Sequence, residues 1–202
     1  MGGKDGMPSA FAGFLVNSNS SLASMKFSKS SESDRQEIEV LFTRTFSDSE
    51  GESEGKLIGH LVHELMNGTE TDDMFGFIAT EQGQIVGCIF FTRLSFGSRV
   101  NAFMLSPVAV DTDHQGKGVG QKLINFGIEH LRERGVELIF TYGDPNYYSK
   151  AGFEHVPQEV AEAPFKLTHP EGWLGQSLDG GSIKLPLGQA CCVEAFNDPQ
   201  YW

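Results

Sequence analysis

Apolar residues recur along this chain with two periods, and their order predicts its elements. A short strand at about Met25–Lys29 leads into Ser33-Asp34, which can cap a helix carrying Ile38, Leu41, Phe42, Thr45 and Phe46 on one side. The polar segment Ser47–Gly55 breaks that helix. A second follows, with Leu57, Ile58, Leu61, Val62 and Leu65 at spacings of three and four, closed by Asn67-Gly68. Phe75–Thr80 and Ile85–Thr92 read as two strands joined by Glu81-Gln-Gly-Gln84, a hairpin signal because the glycine accommodates positive φ. Another strand is expected over Ala102–Val110. The helix after it, about Gly118–Arg134, sets Val119, Leu123, Gly127 and Leu131 on one face with Ile124 and Ile128 beside them. Gly127 at an inward position predicts close approach to a sheet. Glu137–Thr141 is then a strand parallel to the one before the helix, by the crossover rule. Gly143-Asp144-Pro145 starts a short helix through Tyr148, and Gly152-Phe153 ends it.

The pattern weakens beyond residue 155. Pro157, Pro164 and Pro170 punctuate a segment without sustained period, and Gly180-Gly181 precedes the apolar stretches Ile183–Leu187 and Ala190–Val193. Residues 156–202 are read as a C-terminal extension of the sheet that can fold back over a pocket, with Phe165, Trp173 and Phe196 either as wall residues or as core. Residues 1–23 are rich in Gly, Ser, Asn and Ala and read as a flexible tail before a single domain spanning 24–202. There is no internal repeat. The expected architecture is a mixed α/β sandwich, a mostly antiparallel sheet with one right-handed crossover and helices on both faces.

Fifteen basic against 27 acidic side chains give a formal charge of -12 over 202 residues. That balance argues against non-specific nucleic-acid binding; it suits a cationic partner as well as plain solubility. Cys88, Cys191 and Cys192 are too few and too unevenly placed for a disulfide scaffold or a zinc site. His60, His63 and Glu64 form His-x-x-His-Glu, which is not a zincin pattern, so no metal is expected. No run approaches the ~20 apolar residues of a membrane span. Ala10–Val16 beside Asp5 and a polar continuation makes a poor signal peptide, so the expectation is a cytoplasmic protein without membrane attachment.

The chemistry concentrates in residues 105–124, where a strand ending near Val110 passes through a polar turn and the glycines of Gln115–Gly120 into a helix. Such a junction is an anion site, because consecutive N–H groups lack intrahelical partners and the helix dipole adds to them. Gly118 and Gly120 are followed by Gln121, Lys122 and Leu123, which fails the dinucleotide fingerprint; no Gly-Lys-Ser or Gly-Lys-Thr makes a Walker loop. Gln115-Gly116-Lys117-Gly118-Val119-Gly120 instead resembles the Gln/Arg-x-x-Gly-x-Gly/Ala motif of the GNAT superfamily of acyl-CoA-dependent N-acyltransferases. Gly143-Asp-Pro-Asn-Tyr-Tyr-Ser-Lys-Ala-Gly-Phe-Glu154 resembles the second signature of that superfamily, in the form of its YhbS-like group. The resemblance covers roughly residues 25 to 155.

It implies a GNAT-like fold whose sheet splays between the fourth and fifth strands, with acetyl-CoA as acyl donor entering the opening. The implied cofactor contacts are Val108, Ala109 and Val110 on the strand and Gln115, Gly116, Lys117, Gly118, Val119 and Gly120 in the loop and helix start. Backbone N–H groups would take the diphosphate, Gln115 a positioning role, and a strand N–H the thioester oxygen, where it stabilises developing charge. Tyr148 stands at the superfamily's general-acid position, with Tyr147 as the competing hydroxyl. Asn146 is no substitute for the asparagine that many members carry before the tyrosine. The implied acceptor is a primary amine of a small molecule or peptide. Asp48, Glu50, Glu52 and Glu54 are either a solvated acidic loop or an attraction for an ammonium group; Glu64, Asp72, Asp73, His63 or water remain open as proton acceptor. A catalytically silent CoA-binding or regulatory domain and a longer acyl donor are the alternatives, in a monomer or homodimer.

Overall fold

The computed structural model describes residues 24–183 and 186–202, so the expected tail over 1–23 lies outside the described residues. Strand β1 (Lys26–Lys29) leads to helices α1 (Arg35–Glu50) and α2 (Glu52–Gly68), then to β2 (Met74–Glu81), β3 (Gln84–Ser95) and β4 (Ala102–Val110). Helix α3 (Val119–Glu133) crosses over to β5 (Leu138–Tyr142), and α4 (Pro145–Tyr148) continues as a 3-10 turn, Ser149–Ala151. Short strands β6 (Glu154–His155), β7 (Trp173–Ser177) and β8 (Cys191–Cys192) complete the chain. They form one eight-stranded sheet in the order β1-β2-β3-β4-β5-β7-β6, with β8 paired to β3. All pairings are antiparallel except β4 with β5.

Side-chain alternation sends each strand's residues to two cores. One lies under α1 and α2 and contains Phe42, Ile58, Leu61, Phe90, Met104, Phe140 and Trp173. The other lies under α3 and contains Phe77, Phe91, Phe103, Leu105, Leu123, Ile128 and Tyr148. Gly127 is where α3 comes closest to the sheet: a Cβ there would sit 2.5 Å from a ring carbon of Phe91 and 3.1 Å from one of Phe77. At 3.0–3.4 Å neighbours can shift, but 2.5 Å against a buried ring forces the helix away. The hairpin turn is built as its sequence demands, with positive φ at Gln82 (52°) and Gly83 (83°).

Three expectations need correction. The cap before α1 is made by Ser31 rather than Ser33: Ser31 N–H donates to an Asp34 carboxylate oxygen at 2.7 Å around a 3-10 turn that precedes the helix. Asp34 therefore faces backward and gives α1 no side-chain cap. Ser47–Gly55 is not a loop. Helix α1 runs on to Glu50, Ser49 Oγ donating to Thr45 O at 3.1 Å, and only Gly51, with φ of 104°, turns the chain before α2. A left-handed glycine makes the corner in one residue, so polar composition alone overstated the break. Finally, Trp173–Ser177 is the strand that pairs fully with β5, Leu138↔Ser177 to Tyr142↔Trp173, although its short glycine-containing sequence carries no period. Trp173 and Phe196 are core residues with 0 % exposure, and Trp173 Nε1 donates to Ala161 O at 2.8 Å. Among the described residues, no helix is long and apolar enough to cross a membrane.

Candidate active site

The sheet opens between β4 and β5. Parallel pairing covers only Ala102↔Leu138, Phe103↔Ile139 and Met104↔Phe140. One side-chain link follows, Thr141 Oγ1 donating to Leu105 O at 2.9 Å. From Ser106 onward β4 pairs only with β3, across a bulge between Ile89 and Phe91 that faces the cis Ser106–Pro107 peptide. Asp111 N–H donates to Val86 O at 2.9 Å, which fixes the alternation: Ala109 and Asp111 turn their main chain to β3, Val108 and Val110 turn theirs to the opening. Val110 O is taken by Gln115 Nε2 at 3.0 Å. The N–H groups of Val108 and Val110 thus line the edge that β5 has left. Ala109, expected beside them, has its methyl buried in the core under α1 and α2 and is not brought to the cleft.

At the outer end of this opening lies a cavity of about 160 Å³, walled by Val110, Gln115, Gly118, Gly120, Tyr147 and Lys150 among others. The first helical hydrogen bond of α3 runs from Lys122 N–H to Gly118 O, 3.1 Å, so the N–H groups of Val119, Gly120 and Gln121 precede the ladder and have no intrahelical acceptor. Gly118 has φ of 78° and nothing within 4 Å of a Cβ position; it is there for backbone conformation and leaves the approach open. Gly120 has a different reason. A Cβ there would lie 2.2 Å from the Tyr147 hydroxyl and 3.4 Å from a methyl of Val110, so glycine lets the Tyr147 side chain close on the start of α3. These features fit a diphosphate: convergent N–H donors, a positive helix end, and no side chain in the way.

The two tyrosines part company. Tyr147 lines the cavity beside Gly120, and burial pushes its phenol up to about 12. Tyr148 lies beneath, 3 % exposed, edge-on to Tyr147 and Phe153 with ring centroids 5.0 and 5.9 Å away. Thr141 lies beside the Tyr148 hydroxyl and acts against the rise that burial imposes. Burial first, then Tyr147, raises the Tyr148 phenol well above the usual range. Asp144 caps α4 by accepting from Asn146 N–H at 2.9 Å, and Asn146 Nδ2 also donates to it at 3.1 Å, so Asn146 is occupied away from the opening.

Lys117 does not line the cavity, whereas His114, Gln121 and Lys150 do, and none of the three was singled out by sequence reasoning. Lys150 could have been, since it sits inside the second signature. On the opposite face the acidic candidates sort themselves. Asp48 accepts from Thr112 Oγ1 at 2.9 Å and Glu52 pairs with Lys56 at 2.6 Å. Glu50 is held up to about 7 by burial and by Glu54. Of the possible proton acceptors, Asp73 is paired with Arg93 at 3.0 Å and His63 contacts Glu39 at 3.2 Å. Glu64 borders a hollow with Glu194, Asp198 and Tyr201 of the C-terminal segment. Among the described residues, no group of three His, Cys, Asp or Glu side chains could hold a metal.

Residues 72–155 match the acetyltransferase (GNAT) domain. The uncharacterized N-acetyltransferase YjhQ of Escherichia coli K12 is 35% identical over 172 residues, covering 82% of this chain and 89% of the relative. The crystal structure of the GNAT family N-acetyltransferase YhbS from Escherichia coli in complex with CoA is similar with a TM-score of 0.75 and 25% identity, over 90% of this chain and 97% of that one. A GNAT family acetyltransferase from Brucella melitensis in complex with acetyl-CoA gives 0.67 and 25%, over 85% and 97%. With the opened sheet, the glycine loop at the head of α3 and a relative matched along most of its length, the chain belongs to the GNAT family of N-acetyltransferases.

Proposed function

We propose that the protein transfers the acetyl group of acetyl-CoA to a primary amine of a small molecule or peptide by direct attack, with Tyr148 as proton donor to the leaving sulfur. The observation that carries this reading is the parting of β4 and β5 just beyond the Thr141–Leu105 link, with the open N-terminus of α3 at the outer end. The diphosphate is held by the N–H groups of Val119, Gly120 and Gln121. The pantetheine arm lies along β4, where the main chain of Val108 and Val110 replaces lost strand pairing. The thioester then sits at the apex, just beyond the Thr141–Leu105 link. Tyr147 stands at the diphosphate end, next to Gly120, and serves binding.

In the reaction the C–N bond forms as the C–S bond breaks; the amine loses a proton and the sulfur gains one. A strand N–H aimed at the carbonyl oxygen stabilises the charge that develops there more than it stabilises the starting thioester. The acidity of Tyr148 is matched by its surroundings. A thiolate formed in the same dry cleft is desolvated too, which raises the thiol's proton affinity above its ordinary ~8.5 toward that of the phenol. On the acceptor side, an alkyl ammonium must lose a proton at a cost of roughly 4 kcal/mol at neutral pH. Glu50, at the corner between α1 and α2, titrates close to neutrality and is the carboxylate best suited to receive it.

The test is thiol release from acetyl-CoA over a panel of polyamines, amino sugars, amino acids and peptide N-termini. Turnover with at least one cationic primary amine is expected. Tight acetyl-CoA binding with no turnover across the panel would replace this reading with a silent CoA-binding domain. Faster turnover with a longer acyl-CoA would move the donor.

A further inference from the structure

We propose that His114 is a positioning residue for CoA, its imidazolium tying the start of the glycine loop to the sheet, so that CoA affinity falls as the ring gives up its proton. The inference rests on the reading of residues 115–120 as the diphosphate site. His114 immediately precedes Gln115, in the turn that joins β4 to the loop. Its Nδ1 lies 3.0 Å from Asp111 Oδ1 and its Nε2 lies 3.0 Å from Glu81 Oε2. The ring therefore bridges the end of β4 to the end of β2.

Both partners are carboxylates, which only accept hydrogen bonds. A neutral imidazole carries one N–H and one bare nitrogen, so it can satisfy one of them and must turn a lone pair toward the other. Only the doubly protonated ring makes both bonds. The clamp is anchored beyond the histidine. Asp111 also receives Arg44 of α1, the N–H of Asp113 at 3.1 Å, and through its main-chain oxygen the N–H of His114 at 2.8 Å. One turn thus gathers α1, β2 and β4 around the residue from which the loop departs. The pieces are largely withdrawn from water, the side chains of His114, Asp111 and Glu81 being 21 %, 12 % and 24 % exposed.

The charged groups around the ring can be named element by element. Asp111 and Asp113 belong to its own turn, Glu81 to β2, Arg44 and Glu37 of α1 share the hollow on its outer side, and Lys150 and Tyr147 face it across the CoA cavity. Four carboxylates and one arginine leave a negative surround that an imidazolium neutralises. Burial pushes the Asp111 carboxyl up, but the hydrogen bond from His114 and the charge of Arg44 outweigh it and hold the group below its ordinary value. Asp111 therefore stays an anion at neutral pH. The sign follows: at acid pH both bonds are made and Gln115, with its own bond to Val110 O, starts the loop in place. At alkaline pH one bond is lost, the loop loosens, and a positive charge disappears from the cavity wall.

The experiment is calorimetric titration of CoA, without acceptor, from about pH 5.5 to about pH 8.5. Titration of the 3′-phosphate of CoA is common to all variants and cancels in the ratio of affinities. Relative to His114→Gln, the wild type is expected to lose about three- to tenfold in affinity across this range. Glu81→Gln is the sharper variant, because an amide can donate to a bare ring nitrogen and so satisfies neutral histidine. It should bind within about twofold of wild type at acid pH and lose most of the pH dependence. A wild-type to His114→Gln ratio that does not change with pH, or a Glu81→Gln profile identical to wild type, overturns the proposal. Should His114→Gln melt below the assay temperature, the Glu81→Gln profile decides alone. Gly120→Asp separates the two levels: if it binds CoA like wild type at every pH, the diphosphate reading itself fails, whereas lost binding with flat His114 profiles removes only the clamp.

Discussion

On the α3 side of the opened sheet, the proposed recognition of the donor is built from main chain. The N–H groups of Val119, Gly120 and Gln121, and those of Val108 and Val110 on β4, are positioned by where a helix starts and where a strand loses its neighbour. On the α1 and α2 side the acidic groups are side chains. Glu50 and Glu54 sit at the helix corner, and Glu64 with Glu194 and Asp198 surround Tyr201. The difference suits the proposed division between donor and acceptor. A donor whose diphosphate and amides never change can be held by groups that every residue carries, and side-chain identity is then free except where bulk would intrude. An acceptor has to be told from other amines, which takes side chains of chosen charge and shape.

The comparison breaks first at Tyr148, the side chain proposed to supply the main-chain half with its proton. Tyr148→Phe should lower the single-turnover rate by ~10²- to 10⁴-fold while leaving acetyl-CoA affinity nearly unchanged, because one hydroxyl is lost and the buried ring stays. Tyr147→Phe should do the reverse, weakening binding more than chemistry. If Tyr147→Phe loses the chemical rate and Tyr148→Phe keeps it, the proton donor is the hydroxyl in the cavity wall; if neither rate changes, it is water. Gly120→Asp comes next. Its Cβ collides with the Tyr147 hydroxyl, and its carboxylate stands among N–H groups that would serve phosphate, so CoA affinity should fall by at least ~10²-fold in a protein that still melts cooperatively. Unchanged affinity would remove the main-chain account of donor binding.

The same contrast explains what the sequence could tell. The conformation of the loop from Gln115 to Gly120 was legible because backbone geometry leaves a trace in local residue choice: glycine where φ is 78° or where a neighbour comes within 2.2 Å, at fixed offsets from a strand and a helix. The crossover β4–α3–β5 and the inward Gly127 were legible for the same reason, since period and steric room are local. His114 was not. Its meaning comes from Glu81, which lies 33 positions earlier in sequence and meets it only when β2 and β4 end at the same rim. Nor was β7, whose five residues owe their strand geometry to the free edge of β5 rather than to any alternation of their own. The acidic stretch 48–54 was half legible. Charge could be counted and Glu52–Lys56 is an i,i+4 pair within α2, but tertiary contact decided that Asp48 is tied to Thr112, and the sharp corner at Gly51 that Glu50 faces Glu54.

A smaller effect sharpens the side-chain half. If carboxylates draw the acceptor, raising ionic strength at saturating acetyl-CoA should raise the Michaelis constant of a cationic amine by about two- to fivefold between low salt and a few tenths molar, where the Debye length falls below ~8 Å. A neutral amine should show no such change. An unchanged constant for the cationic substrate would mean that the acidic face serves solubility alone.

The smallest effect isolates Glu50 without any substrate. Burial, helped by Glu54, raises its carboxyl from 4.5 to about 7 in the folded protein, while the unfolded chain keeps the ordinary value. Between those two values the folded state holds more protons than the unfolded state, so stability falls as pH rises through this window and levels off above about 7. Glu50→Gln removes the charge and should therefore change little near pH 4.5 and stabilise above about 7. Because the carboxyl is about half exposed, solvent screening leaves about 1 kcal/mol of this, or about 2–4 °C in Tm for a chain of this size. Melting curves of both proteins across the window supply the check. A difference in Tm that is the same at both ends would show that Glu50 titrates normally, and its claim to take the acceptor's proton would go with it.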